Sequence, residues 1–304
     1  MTTPAFPREL EHKIFELAAY SYPRSIPNII LVAHRVNIWI YPLLFRVIVL
    51  SSNVACSGPD SQAYPYSNPK QYMSIPAHIL RAGLRGLCIR SSPCEATQYI
   101  LSAASHVQDL YIASPLPIGP GPRSLFLSTL GKMPLKRLYC SLDHLFPTRN
   151  IDFMHPVFVH LTHLEIFSHT DTTNPAIHAG LAMIPNLTHL AFNDGGFIPF
   201  AGRLLETCKS LRVLVLLNDG EPLDSELDNN NTNSVLGAEL DELRRDVRYV
   251  RMACSKYLAD WRMGAMTGGG DYWERAEVFI EKRRAGEVDA GQYWIAEDES
   301  LNSA

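Results

Sequence analysis

Six of the eleven histidines, His155, His160, His163, His169, His178 and His189, fall within one stretch of 35 residues. Imidazole is a common metal ligand and the usual general base near neutral pH. The spacing supports neither role. A zinc-protease helix needs two histidines at i and i+4 with a glutamate beside the first. Here the pairs are His160-x-x-His163 and Glu165-x-x-x-His169, and they fall on a strand-like pattern. The cysteines Cys56, Cys88, Cys94, Cys140, Cys208 and Cys254 form no C-x-x-C pair, so neither a redox couple nor a zinc knuckle is suggested. No G-x-S-x-G elbow is present. Gly268-Gly269-Gly270 follows a helical stretch and reads as an exposed linker rather than a phosphate cradle. No carboxylate pair stands out, and the sequon Asn186-Leu-Thr188 lies inside a strand phrase. The expectation is no catalytic residue, no metal and no cofactor: the protein is not an enzyme.

The elements that position these residues show a repeat. One phrase recurs six times: apolar, two variable, apolar, one variable, apolar. It runs as Leu84 to Ile89, Val107 to Ile112, Leu135 to Cys140, Leu161 to Ile166, Leu187 to Phe192 and Leu211 to Leu216. Its central leucines are Leu87, Leu110, Leu138, Leu164, Leu190 and Leu214, at steps of 23 to 28 residues. The phrase ends alternate as a half-buried strand does. The stretches between carry helix signals, such as Pro93 after Ser92 and Pro175 after Asn174. Phrase and period match the leucine-rich repeat. Each strand-helix unit would bury its apolar face only by stacking on its neighbours, which predicts an α/β solenoid over 80–217 of about six repeats. An ordinary α/β sheet is the alternative, but it does not require one phrase at near-equal spacing.

In such a stack, equal slots of successive phrases lie side by side, ~4.8 Å apart. His163, Glu165 and His189 would then approach one another on the concave strand face. They would form a polar patch, a zinc site being less favoured for want of a fourth ligand. The residues expected to hold a protein client there are Asp109, Tyr111, Arg137, Tyr139, His163, Glu165 and His189; tyrosine and arginine are enriched at binding hot spots.

Outside the repeats, Pro7 to Tyr20 reads as a helix with Leu10, Ile14, Leu17 and Ala18 on one face. Ile29 to Trp39 reads as a second helix and Leu43 to Leu50 as a strand-like run, the three segments composing a head over residues 1–50. Residues 51–79 have loop composition, and 218–237 are acidic and amide-rich, as a mobile loop would be. Ala238 to Arg262 turns helical, with Leu240, Leu243, Val247, Val250 and Cys254 at steps of 3 and 4. Tyr272 to Arg284 reads as a further helix. With Trp261, Trp273 and Trp294 as packing anchors, 238–304 would cap the solenoid.

The segments Phe6-Pro7-Arg-Glu-Leu10, Ile14-Phe15 and Leu31 to Trp39 resemble a degenerate F-box, with Phe6 where the family has leucine. Trp39 to Arg46, Tyr257 to Trp261 and Trp294 are similar to a group of fungal F-box-like proteins that run into leucine-rich repeats. The resemblance implies a substrate receptor of an SCF-type ubiquitin ligase. It implies that Phe6, Pro7, Leu10, Ile14, Phe15, Val32 and Val36 lie on or support the surface for a Skp-type adaptor. Two alternatives stand beside it: a repeat scaffold that no longer engages the ligase, and an enzyme or metal protein using residues 155–189.

Composition agrees with a protein-binding role. Twenty-seven basic against 31 acidic residues leave a net charge of −4, which argues against a nucleic-acid partner. No apolar run reaches the ~18 residues of a membrane span, and the first residues lack a secretory pattern. An intracellular, cytoplasmic or nuclear, setting is therefore expected.

Overall fold

The computed structural model describes residues 6–51, 69–90, 95–113, 120–146, 151–167, 174–193, 195–218 and 234–296. Most of the expected loops 51–79 and 218–237, together with Ser92, Pro93 and His169, lie outside them. The chain divides into two compact units: Met1–Pro134 with Arg262–Gly268, and Leu135–Trp261 with Gly269–Ala304. Both are α/β with parallel strands. No helix among the described residues is long and apolar enough to cross a membrane.

The first unit begins with helices α1 (Arg8–Ser21), α2 (Ile26–Ile29) and α3 (His34–Ile40). The expected second helix is thus broken: Ile30 to Ala33 turn between α2 and α3. Tyr41–Phe45 is a 3-10 turn leading into strand β1 (Val47–Leu50). Helices α4 (Pro69–Tyr72) and α5 (Ala77–Gly83) occupy the end of the segment expected as loop. Strand β2 (Gly86–Ile89), helix α6 (Glu95–Ala103), strand β3 (Asp109–Ile112) and helix α7 (Pro120–Leu130) follow. Strands β1, β2 and β3 pair in parallel, with Ile48 opposite Leu87 and Leu87 opposite Leu110. Gly83 sits where a Cβ would lie 1.8 Å from the Pro42 carbonyl oxygen. Only glycine lets α5 approach the 3-10 turn this closely.

The second unit carries strands β4 (Arg137–Cys140), β5 (His163–Ile166), β6 (His189–Phe192), β7 (Val213–Asn218), β8 (Tyr249–Ala253) and β9 (Trp294–Ile295). These six are parallel and neighbours in chain order. Between them lie α8 (Leu142–Leu145), α9 (Pro175–Leu181), α10 (Ile198–Thr207) and α11 (Ser234–Arg245). Helix α12 (Tyr257–Thr267) begins in this unit and ends in the first, and α13 (Tyr272–Ala285) precedes β9.

The phrases pair slot on slot. Leu138 is opposite Leu164, Leu164 opposite Leu190, and Leu190 opposite Leu214, all fully buried. One backbone motif recurs with them. The Lys136 carbonyl accepts the N–H groups of Thr162 and His163, and the Thr162 carbonyl those of Thr188 and His189. The Thr188 carbonyl likewise takes Arg212 and Val213. Identical phrases thus enter the sheet by identical bonds, which holds the register.

From Ala238 to Arg262 the structure departs from the expected single helix. Helix α11 stops at Arg245, and Tyr249 to Ala253 is a strand beside β7. The Asp246 carboxylate accepts from the Arg248 backbone N–H at 2.9 Å and from its guanidinium at 2.7 and 3.0 Å, closing a turn. Residues Tyr249 to Met252 are buried on both faces of the sheet. A strand buried on both sides shows no alternation, so its apolar residues also fit a helical period.

Candidate functional site

Two surfaces hold the residues singled out from the sequence. On the N-terminal helices, α1 and α3 are joined by one side of α1. Arg35 donates to the Glu11 carboxylate at 2.6 and 2.8 Å, His12 stacks on Trp39 at 4.8 Å, and Arg8 lies over the same indole. Ala19, Ile26, Val36 and Ile40 are buried together, with Phe15 and Trp39 packed against them. Residues 8, 11, 12, 15 and 19 share one helix face, because a residue advances ~100° around the axis.

Leu10, Ile14 and Leu17 therefore fall on the opposite face. Their relative exposures are 54%, 52% and 66%. Leu31 and Val32, in the turn before α3, are 79% and 62% exposed, and Phe6 is exposed as well. The apolar stripe read from the sequence is real, but it points outward, and the helix is held by its other side. Of the residues implied for an adaptor surface, Phe6, Pro7, Leu10, Ile14 and Val32 are exposed, Phe15 is half-buried, and Val36 is buried beneath them. Ile38 and Tyr22 add exposed apolar area that sequence reasoning missed; a break at Ile30 to Ala33 had to be known to place Ile38.

The other surface is the variable-slot face of the strands. In the first unit Asp109 and Tyr111 are half-buried on β3. On β2 a Cβ added at Gly86 would lie 3.0 Å from the Cβ of Ala265, in α12. In the second unit this face is not open. Helix α13 lies on it, so Arg137, Tyr139, His163, Glu165 and His189 meet the chain's own side chains rather than a client. Arg137 pairs with Asp271 at 2.6 Å. The Trp273 indole N–H donates to the Tyr139 hydroxyl at 3.0 Å, and the Tyr272 hydroxyl to Glu165 Oε2 at 2.8 Å. His163 and His189 stack face to face at 3.9 Å, and both rings meet Trp273 edge-on. His189 Nε2 lies 2.9 Å from Glu277 Oε1. Tyr139, Glu165 and His189 are buried, Arg137 and His163 half-buried. The predicted approach of His163 and His189 is observed; the expectation of an open client face here is corrected, because a helix downstream supplies complementary polar and aromatic groups.

The start of α13 is built to sit there. Asp271 caps it by accepting the Glu274 N–H at 3.1 Å, and the Glu274 carboxylate reaches back to the Gly270 N–H, a reciprocal cap. Gly270 has φ +76°, which favours glycine. The Asp260 carboxylate accepts the Tyr272 N–H at 2.7 Å and pairs with Arg275 at 2.8 Å. Trp261 and Trp273 are fully buried, as anchors should be, while Trp294 is half-buried under Arg251.

The electrostatics follow from burial. Glu165 is pushed up to about 8, chiefly by loss of water, with Asp260 adding to it and the Tyr272 bond opposing it. Burial drives His163 down to about 2, assisted by the neighbouring His189 and Arg137. Burial also lowers His189, against the pull of Glu277. Burial raises the thiols of Cys88 and Cys140 beyond reactivity. Among the described residues, no group of three His, Cys, Asp or Glu is placed to hold a metal ion.

The chain matches no family model and no curated protein.

Proposed function

We propose that this protein is an interaction module whose N-terminal helices dock a Skp-type adaptor, as the substrate receptor of an SCF-type ubiquitin ligase does, on a leucine-rich-repeat solenoid body. The observation that carries this reading is the outward stripe Leu10, Ile14 and Leu17 on α1, with Leu31 and Val32 exposed before α3. Exposed apolar groups set side by side mark interaction sites. A partner that covers the stripe would gain roughly 1.5–3 kcal/mol for each large side chain fully buried. The F-box-like segments supply the class of partner. The in-register strand phrases support the solenoid. The protein performs no bond chemistry in this reading. With Arg137, Tyr139, His163, Glu165 and His189 engaged by α13, client recognition is not assigned to those five side chains.

Co-purification with the adaptor tests the reading, comparing wild type with an Ile14→Asp, Leu17→Asp variant. Capture by wild type and at least tenfold weaker capture by a variant of unchanged circular dichroism is expected. Absence of capture by folded wild-type protein would overturn it and favour a repeat scaffold without ligase contact.

A further inference from the structure

Glu165 is a buried carboxylate on the covered strand face, and among the described residues no cation is paired with it. Its Oε2 takes the Tyr272 hydroxyl, while Oε1 is buried without a hydrogen-bond partner. The charged groups around it are committed elsewhere. Arg137, from β4, pairs with Asp271 at the cap of α13. Arg275, from α13, pairs with Asp260 of α12. From β4 come also Tyr139 and the Cys140 thiol; from α13 Tyr272, whose own ionisation burial pushes far up. On β6 the register partner of Glu165 is Ala191, with His189 two residues before it, as His163 is on β5. Asp260 adds a further negative charge near Glu165, and both Asp260 and Asp271 are paired with arginines. An ionised carboxylate so buried is costly unless paired.

We infer that helix α13 is a strap whose seat on strands β4 to β6 depends on the proton of Glu165: neutral Glu165 seats it, and ionised Glu165 loosens its first turns. Opening at Gly270 would let Tyr272 and Trp273 leave together and admit water to the carboxylate. The proton is released to solvent, and no bond other than O–H breaks. Seated, the carboxyl holds its proton to about pH 8; open, it titrates near the ordinary glutamate value of 4.5. Seating is then weakened about tenfold for each pH unit gained between those limits. His163 and His189 act in the other direction, since opening lets them take up protons below about pH 6.5. Above that pH the two histidines no longer contribute. The inference concerns the second unit and does not rest on adaptor binding by the first.

Amide hydrogen exchange of the full chain, read by mass spectrometry from pH 6.5 to 9 and corrected for intrinsic exchange, tests it. Protection of residues 272–279 should fall about 15-fold from pH 6.5 to 8 and about 30-fold by pH 9, where it levels off, at every pH below that of strands β5 to β7. In Glu165→Gln, a neutral isostere, protection of 272–279 should be flat. In Tyr272→Phe the carboxyl loses the bond that favours its anion, so the fall should extend to higher pH than in wild type. The inference is overturned if α13 and the strands exchange at one common rate, or if the pH dependence survives in Glu165→Gln. Should Glu165→Gln not fold, the shift in Tyr272→Phe decides: an unmoved profile would equally sink it.

Discussion

Ile14 and Ile40 are the same residue type in neighbouring helices with opposite duties. Ile40 is fully buried in the head core with Val36 and Ala19, whereas Ile14 faces outward. Truncating Ile40 to alanine removes buried methyl groups and leaves a cavity, at roughly 2–5 kcal/mol. Ile14→Ala should lie within about 0.5 kcal/mol of wild type in a denaturant titration, as surface changes do. Equal losses for the two would mean that the outward face of α1 is core. The sequence shows that Leu10, Ile14 and Leu17 share a face, since a period of 3.6 suffices for that. It does not show which side of α1 meets α3. That depends on Glu11, His12 and Phe15 finding Arg35, Trp39 and the head core, contacts that span more than twenty residues of chain.

Among the elements, α13 is tied down at both ends by unlike means. Its start is capped by Asp271 and anchored by Tyr272 and Trp273. Near its end Arg283 is buried, and its guanidinium donates to five carbonyls: Arg244, Asp246, Val247, Tyr249 and Ala290. One side chain thereby satisfies the C-terminal end of α11, the turn into β8 and the approach to β9. Arg283→Met keeps much of the stem but strands those acceptors. Hydrogen bonds to a charged group contribute about 1.5–3 kcal/mol each, so unfolding should shift by at least that range in guanidinium or urea. A change below about 0.5 kcal/mol would show that water replaces the guanidinium at no cost. The helix itself was legible from Trp273, Ala276 and Ile280. That it lies across a strand face, and not over an end of the stack, was not. Its partners are polar, and polar slots on a strand read as a solvated surface until the covering element is in place.

For the molecule as a whole, the covered face makes stability depend on pH from both sides. His163 is held below its ordinary value, so its contribution is present above about pH 6.5 and is lost as the pH falls toward 2. Glu165 is held above its ordinary value, so its contribution is present below about pH 4.5 and is lost as the pH rises through about 8. The two slopes oppose each other between pH 4.5 and 6.5. Thermal midpoints should therefore vary little in that interval and decline on either side, with a shallower acid limb in His163→Phe. An acid limb unchanged in that variant would remove His163 from the account.

What the amino-acid sequence determined by itself is the local and periodic part of this protein. Six near-equal phrases place leucines on parallel strands, and stacking identical phrases admits one register, because a one-residue slip would turn every leucine to the other face. Asn174 before Pro175 and Asp271 before Tyr272 mark helix starts through bonds within three residues. Tertiary structure alone decided which faces are covered. Tyr249 to Ala253 belong to a strand because β7 offers a ladder beside them. Arg137, Tyr139, Glu165 and His189 turn inward because Asp271, Trp273, Tyr272 and Glu277 arrive from far along the chain to meet them. Leu10, Ile14 and Leu17 stay outside because the other side of α1 carries the groups that meet α3 and the core beside it. Burial is settled by pairs of surfaces, and no single segment carries both members of a pair.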